Sequence, residues 1–376
     1  MNTKKNKINV VIFFGGRSCE HEVSLQSVQS VYKYLDTNKF DPILVGIDKE
    51  GNWYYYENLK KALINPGNPK TIGLKIEKQK RVIYDPKIKK LLFAEDKDKK
   101  IKYLNKVIDI VFPVLHGPYG EDGTIQGYME LFDVPIVGAS LLGSAVAMDK
   151  DVAKRLLRQA GLQIPDFIVL NNKQWKDKKI DYKFVSKKLG KVFFVKPCNL
   201  GSSVGISKID SEIKFKKYTN FAFKFDDKII FEKAIFAREI ECSVLGNEDP
   251  VCSLPGEIIP SHDFYSYDAK YIDEQGALLV VPVKLNSKII NKIQKLAIKA
   301  YETCAVSGMA RVDFFLEKKT NKIYLNELNT IPGFTNISMY PKLWEASGLS
   351  YSKLLTKLID LAIAKQKRRD VLNKAI

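Results

Sequence analysis

The chain has 376 residues, of which 45% are hydrophobic and 28% are charged. A chain of this length is too long for a single small hydrophobic core and is enough for two or three domains. No apolar run approaches the roughly 20 residues that span a bilayer. The formal net charge of +18 is compatible with nucleic-acid binding. Its lysines are spread over many segments, however, as on a solvated surface. The composition therefore favours a globular protein with no membrane or nucleic-acid partner.

The N-terminus could be a signal peptide or a buried first strand. Basic residues 1–7 lead into the apolar run 8–14. That run is short and ends in Gly15-Gly16-Arg17 without a small-residue cleavage site, so we interpret it as a strand. The five cysteines are scattered and form no CxxC pair, which indicates a reducing compartment without disulfides. We therefore predict a cytoplasmic protein.

Strands and helices alternate over the first 140 residues. The first strand, 8–14, is followed by a glycine turn and by a predicted helix over 24–35, whose apolar residues share one face. This alternation predicts a parallel, doubly wound sheet. Further strands are predicted over 42–47, 108–115 and 135–138, with short strands and loops over 51–106.

The rest of the chain opens with a predicted helix over 149–160, which Asp149 caps and Gly161 ends. A long amphipathic helix is predicted over 286–304. A last helix over 350–365 precedes a basic tail that we predict to be disordered. Between these helices the predicted strands are 193–196, 204–209, 228–231, 239–245 and the two arms of an antiparallel hairpin, 310–316 and 322–326.

The hairpin carries the clearest chemical signal. Asp313 lies on one arm, whereas Glu327 and Asn329 end the other and point to the same face because they are two residues apart. Oxygen ligands on adjacent strands suit Mg²⁺. The alternative is a polar strand face in solvent, but Asp313 follows Arg311 inside an otherwise apolar strand. We therefore predict a metal site at this hairpin.

Three glycine-rich loops are candidate ligand loops. Residues 196–205 include Gly201-Ser202-Ser203, a turn whose N–H groups and hydroxyls can cradle phosphate behind Lys196. Loops 15–22 and 116–123 follow strands whose carboxyl ends bind ligands in open parallel sheets. Neither loop matches GxGxxG, which counts against a dehydrogenase, and no GxxxxGK[ST] P-loop occurs. Each loop alone is a weak signal.

Together these segments resemble the D-alanine–D-alanine ligase family from residue 8 to about residue 361. The resemblance implies an α/β ATP-grasp fold with a doubly wound N-terminal domain (1–140), a central lid (141–232) and an α+β C-terminal domain (233–376), assembled as a homodimer. The matching segments are FFGGRSCEHEVS (13–24), HGPYGEDGTIQG (116–127), AMDK (147–150), VKPCNLGSSVG (195–205), FYSYDAKY (264–271), GMARVDFF (308–315) and LNELNTIPGFT (325–335).

The resemblance implies that ATP converts the carboxylate of one D-alanine into an acyl phosphate, which the amine of a second D-alanine attacks. Asp313, Glu327 and Asn329 match the ligands of two Mg²⁺ or Mn²⁺ ions, which neutralise phosphate charge. The nucleotide-binding positions are the phosphate lysines Lys150 and Lys196, Ser203 of the turn, the adenine hinge Glu232, Lys233 and Ile235, the ribose carboxylate Glu239, and the loop lysine Lys270.

The resemblance also implies the positions that bind the amino acids. Glu20 resembles the carboxylate that holds the first ammonium, with His116 close by, and Ser338 resembles the residue that binds the second carboxylate. Arg311 and the N–H of Gly333 resemble the oxyanion stabilisers. Ser202 and Tyr271 complete a hydrogen-bond network that links Glu20 to a closing loop. Two positions depart from the family pattern and are expected to alter loop stability, Ser266 and Cys198.

Other functions remain open at this stage. A D-alanine–D-lactate or D-alanine–D-serine ligase uses the same scaffold, although Tyr271 favours D-alanine because members that make the lactate ester tend to carry phenylalanine there. A biotin-dependent carboxylase would lack the EHEVS and HGxxGEDG loops. A basic nucleic-acid-binding protein would not need the carboxylates of the hairpin.

Overall fold

The computed structural model describes residues 7–77, 80–93, 102–104, 106–178, 180–261 and 276–372. Over these ranges the chain builds a mixed sheet near the N-terminus and two antiparallel sheets that follow it. No helix in the same ranges combines the length and the apolar character that crossing a bilayer requires.

The first sheet is parallel at one end and antiparallel over the rest. Its strand order is β8-β7-β6-β3-β2-β1-β9, in which β1 pairs parallel with β2 and β9. The strands of this segment are β1 (Ile8–Gly15), β2 (Phe40–Ile47), β3 (Trp53–Tyr56), β4 (Leu63–Ile64), β5 (Gly73–Leu74), β6 (Lys80–Asp85), β7 (Lys90–Phe93), β8 (Lys102–Tyr103) and β9 (Ile110–Val114); β4 pairs with β5. The parallel prediction is confirmed for β1, β2 and β9, and the short strands predicted over 51–106 form the antiparallel extension.

The helices of this segment are α1 (His21–Tyr34), α2 (Leu59–Ala62), α3 (Thr124–Leu131), α4 (Leu141–Met148) and α5 (Lys150–Gln159). The predicted start of α1 at Ser24 was wrong. The Ser24 hydroxyl accepts from the N–H of Gly15 at 2.7 Å and donates to the carbonyl of Val114, so it ties α1 to the sheet instead of capping the helix. The cap on α5 is confirmed, because Asp149 accepts from two N–H groups of the first turn.

The strand predicted over 135–138 was also wrong. This segment makes a single parallel bridge, between Val111 and Ile136. Gly138 then adopts a φ of +98°, which turns the backbone away before a second pair can form.

The second sheet has the order β10-β13-β11-β12 and is antiparallel throughout. The strand predicted to begin at Val204 begins only at Ser207, because Ser202, Ser203 and Gly205 have left-handed φ angles that a strand cannot accommodate. The elements are β10 (Phe167–Asn171), α6 (Asn172–Lys176), α7 (Tyr182–Leu189), β11 (Phe193–Pro197), β12 (Ser207–Ile209), α8 (Glu212–Ala222) and β13 (Lys228–Lys233).

The third sheet has the order β17-β16-β14-β18-β19, with β15 beside β14. The predicted hairpin is confirmed as the antiparallel pair β18–β19. The elements are β14 (Ala237–Gly246), β15 (Val251–Cys252), β16 (Gly256–Pro260), β17 (Ala277–Val280), α9 (Ser287–Thr303), β18 (Gly308–Glu317), β19 (Ile323–Asn329), α10 (Met339–Ala346) and α11 (Tyr351–Asp370).

The C-terminal helix returns to the first sheet. Leu354 and Leu358 of α11 are fully buried in the same cluster as Val10 and Ile12 of β1, and the opposite face of β1 packs with α3. Helices therefore cover both faces of the parallel strands. The prediction of a disordered tail after residue 365 was wrong up to Asp370, since Lys365 donates to the carbonyl of Gly138 at 3.2 Å and holds the last turns against the protein.

Candidate functional site

A cleft of about 390 Å³ lies where loops of the first sheet face the third sheet. Its walls come from loops 15–22 and 116–123, the turn at 201–202, strands β14, β18 and β19, and the segment that leads into α10. The cleft brings together these predicted residues: Glu20, His116, Ser202, Glu239, Arg311, Asp313, Glu327, Asn329, Gly333 and Ser338.

The β18–β19 pair supplies the candidate metal ligands. Asp313 lies directly opposite Glu327, and Asn329 Nδ2 is 3.0 Å from Asp313 Oδ2. The predicted convergence of these three side chains is therefore confirmed. Two carboxylates and an amide, which presents its oxygen after a rotation, form a hard-oxygen donor set that fits a divalent cation. Lys150 Nζ lies 3.6 Å from Glu327 Oε2, so a cation already flanks this set.

Arg311 is held by two carboxylates on the cleft wall. Its guanidinium bonds both oxygens of Asp313, at 2.8 and 2.7 Å, and its Nε lies 3.0 Å from Glu241 Oε2. Glu241 pairs with Asp313 across β14 and β18. Glu241 was not among the predicted residues, although its spacing of two from Glu239 on a strand places both on one face.

Buried charges of opposite sign meet beside the cleft. Glu232 accepts from Lys196 at 2.7 Å and forms an ion pair with Lys154 at 2.6 Å. Burial alone would raise the pKa of Glu232, but the two ammonium groups outweigh it and lower this pKa to about 2. Lys154 was missed, although it follows Lys150 by one helical turn. Lys233 and Ile235 lie at the connection from β13 to β14 and do not line the described cleft.

The glycine–serine turn packs against loop 15–22. Ser202 donates to the carboxylate of Glu20, as the resemblance implies, and Lys150 Nζ donates to the carbonyl of Leu200 at 2.7 Å. A Cβ on Gly201 would lie 2.9 Å from Glu20 Oε2, so the close approach needs glycine. Ser203 follows with a left-handed φ of 60°.

His116 is a neutral structural partner at physiological pH. Burial lowers its pKa to about 4, and its ring nitrogens bond the carbonyl of Ile331 at 3.0 Å and the hydroxyl of Ser27 at 2.9 Å. It therefore joins α1 to the segment before α10.

Glu121 was not predicted as a site residue, although it lies in the Gly-Glu-Asp-Gly motif of the segment 116–127 that matches the family. It accepts from the N–H of Gly117 at 3.0 Å and lines the cleft. Burial raises the pKa of Glu121 to about 8, and the negative charge of Glu20 adds to this shift. One of the two carboxyls therefore keeps a proton near neutral pH.

The far end of the cleft is the start of α10. Ser338 precedes the helix, and its hydroxyl accepts from the N–H of Thr335 at 3.0 Å. A Cβ on Gly333 would lie 2.7 Å from this hydroxyl. The N–H groups in the first turn of a helix can donate hydrogen bonds to a carboxylate, and the helix dipole attracts its negative charge.

Three residues named from the sequence, Ser266, Lys270 and Tyr271, lie outside the described residues. Cys198 is buried, and burial raises the pKa of its thiol to about 12. It therefore stays protonated at physiological pH.

Comparisons with known proteins match nearly the whole chain. The family models for the D-ala D-ala ligase N-terminus and C-terminus match residues 9–139 and 156–360. The D-alanine–D-alanine ligase of Oceanobacillus iheyensis is 45% identical over 364 residues and covers 97% of each chain. The solved D-alanine–D-alanine ligase from Coxiella burnetii has a TM-score of 0.80 and 36% identity over 97% of each chain. The VanG D-Ala:D-Ser ligase from Enterococcus faecalis has a TM-score of 0.81 and 34% identity, covering 95% of this chain and 100% of that one.

The fold and the cleft therefore define an α/β protein of the ATP-grasp type, an ADP-forming ligase that depends on ATP. Within this class, the chain belongs to the D-alanine–D-alanine ligase family.

Glu121 makes the stability of the fold depend on pH. Its pKa is about 8 in the folded protein against an ordinary 4.5, so between these values the folded state keeps a proton that the unfolded state releases. Stability should therefore fall as pH rises through this window. Glu121→Gln removes the ionisation, and the variant should gain at least about 1 kcal/mol relative to wild type between pH 5.5 and pH 8.5.

The measurement is the free energy of unfolding from urea titrations at both pH values. Glu345→Gln, an exposed position on α10, is the matched control and should follow the wild type. Parallel pH profiles for wild type and Glu121→Gln would show that Glu121 is not protonated in the folded protein.

Proposed function

We propose that the cleft joins two molecules of D-alanine at the expense of ATP, through a D-alanyl phosphate, to make the dipeptide of peptidoglycan precursors. The observation that carries this proposal is one continuous cleft with a carboxylate–amide set at one wall and the Glu20–Ser202 pair at another. A phosphate donor and an amino-acid acceptor can therefore meet in the same space. Family membership supplies the identity of both.

The nucleotide would lie beside the buried lysines. Lys150 and Lys196 are suited to phosphate oxygens, with the turn at Ser203 next to them, while Glu239 faces the cleft as a candidate ribose ligand. Glu232, Lys233, Ile235 and the loop residue Lys270 keep their proposed roles by resemblance. Asp313, Glu327 and Asn329 would hold two Mg²⁺ or Mn²⁺ ions, which when bound neutralise charge on the transferred phosphate.

The amino acids would be oriented by opposite ends of the cleft. Glu20, fixed by Ser202, attracts the ammonium of the first D-alanine, and Ser338 at the start of α10 attracts the carboxylate of the second. A protonated Glu121 beside Glu20 leaves one negative charge there, which matches one ammonium. Arg311 and the N–H of Gly333 line the space between and would stabilise the oxyanion.

We further propose that the protein works in the cytoplasm as a homodimer with the three domains outlined above. ATP and free thiols both suit a reducing, nucleotide-rich compartment. The order of the three larger sheets along the chain supports this division into domains.

A D-serine acceptor is the second candidate, because the chain matches a solved D-Ala:D-Ser ligase over 95% of its length. An assay with ATP, Mg²⁺ and D-alanine, alone and with equimolar D-serine or D-lactate, separates the candidates by product mass and stereochemistry. We expect D-alanyl-D-alanine as the main product, with one ADP per peptide bond. Preferential capture of D-serine or D-lactate would contradict the acceptor assignment, and ADP release without any dipeptide would contradict the ligase assignment.

Replacing Glu327 tests the metal ligands. Glu327→Gln keeps the shape of the side chain but removes its charge, so the turnover rate should fall at least about a hundredfold while the fold persists. Turnover is measured by ADP release, and the fold by circular dichroism and melting temperature. The control Glu345→Gln makes the same chemical change on an exposed helix and should leave turnover unchanged. Near-normal turnover by a folded Glu327→Gln variant would rule out its metal role.

A further inference from the structure

Lys154 carries a buried ammonium that bridges Glu232 on β13 and Asn326 on β19, both next to the proposed nucleotide site. Its side chain is 2% exposed, and its Nζ lies 2.6 Å from Glu232 Oε2 and donates to the carbonyl of Asn326 at 3.0 Å. An ammonium withdrawn from water is costly unless charges and hydrogen bonds compensate it. Glu232 and the carbonyl of Asn326 provide both.

The carboxylate of Glu232 is shared by two lysines. Lys154 is next to Oε2, while Lys196 donates to Oε1 at 2.7 Å. Two ammonium groups and one carboxylate leave one net positive charge. Without Lys154, the remaining Lys196–Glu232 pair would be neutral. The carboxylate of Glu232 would then interact with Lys196 alone and neutralise its charge.

The second contact of Lys154 reaches the metal-binding strand. Asn326 immediately precedes Glu327 on β19 and lines the cleft. Glu232 is the penultimate residue of β13. Lys154 therefore ties the end of β13 to the middle of β19.

We propose that Lys154 is a positioning residue for the phosphates of the nucleotide. By taking one oxygen of Glu232 it leaves Lys196 with net positive charge for phosphate, and by holding the carbonyl of Asn326 it fixes the strand that carries Glu327. This inference rests on the proposed nucleotide site. It requires the loss of Lys154 to weaken binding of the phosphates more than binding of the nucleoside, for which Glu232 also belongs to the proposed hinge.

The test compares ADP with adenosine, which lacks phosphate, by calorimetric titration in the presence of Mg²⁺. In Lys154→Met the affinity for ADP should fall by about tenfold or more, because a net charge next to the phosphates is lost. The affinity for adenosine should change by less than about threefold. Arg155→Met is the matched control, since it removes a cation from an exposed position of the same helix and should alter neither affinity.

A double variant tests the charge balance itself. Lys154→Met combined with Glu232→Gln removes one charge of each sign and leaves Lys196 positive. Its ADP-to-adenosine affinity ratio should return towards that of the wild type, which carries the same single net positive charge at this cluster, whereas a role in packing alone would give no such recovery. If Lys154→Met does not fold, Lys154→Gln, which can still donate to Asn326, should show the same selective loss for ADP.

The outcomes distinguish this inference from the function on which it rests. Selective loss of ADP affinity with recovery in the double variant supports it. Unchanged ADP affinity in a folded variant overturns it, and so does an equal loss for ADP and adenosine. If the wild-type protein binds neither compound, the proposed nucleotide site is itself wrong.

Discussion

Charged groups withdrawn from water have to be balanced by one another, and this constraint shapes the junction of the three sheets. Arg311 lies between Asp313 and Glu241, and Glu232 lies between two lysines. Apart from the Arg311–Asp313 pair within β18, these ion pairs join different elements of the chain. The balance therefore determines how the second sheet meets the β18–β19 hairpin, and with it the shape of the cleft.

The same balance separates the acid–base properties of neighbouring groups. Lysines lower the pKa of Glu232 to about 2, whereas burial and a like charge raise that of Glu121 to about 8. Burial keeps His116 neutral, with its pKa lowered to about 4. The site thus presents an ionised carboxylate at Glu232 and a protonated one at Glu121 at the same pH, a separation by environment that is typical of enzyme active sites.

Elements with local signals could be predicted from sequence. Helix α5 has its cap in Asp149, and the β18–β19 hairpin has two apolar arms around a polar turn, so both were located to within a few residues. The proximity of Asp313, Glu327 and Asn329 followed from the same hairpin, because strand spacing decides which side chains share a face.

Features fixed by distant contacts could not be predicted in this way. Lys154, Glu241 and Glu121 look like ordinary surface charges until the fold brings charged or polar groups of other elements next to them. The last turns of α11 were predicted to be disordered because their sequence is basic and polar. Their order depends on distant contacts such as that of Lys365 with the carbonyl of Gly138. The local sequence pattern gives no information on contacts between residues that are far apart in the chain.

The central claim is that the cleft is balanced for a metal ion and a nucleotide together. Arg311 and Lys150 already flank the carboxylates of Asp313 and Glu327, so a cation alone gains little, whereas phosphates would draw the lysine away. The most direct measurement is the affinity of Mn²⁺, followed by electron paramagnetic resonance, with and without ADP. The account predicts that ADP tightens Mn²⁺ binding by roughly tenfold or more, with the reciprocal effect of Mn²⁺ on ADP. Equal Mn²⁺ affinity in the presence and absence of ADP would contradict it.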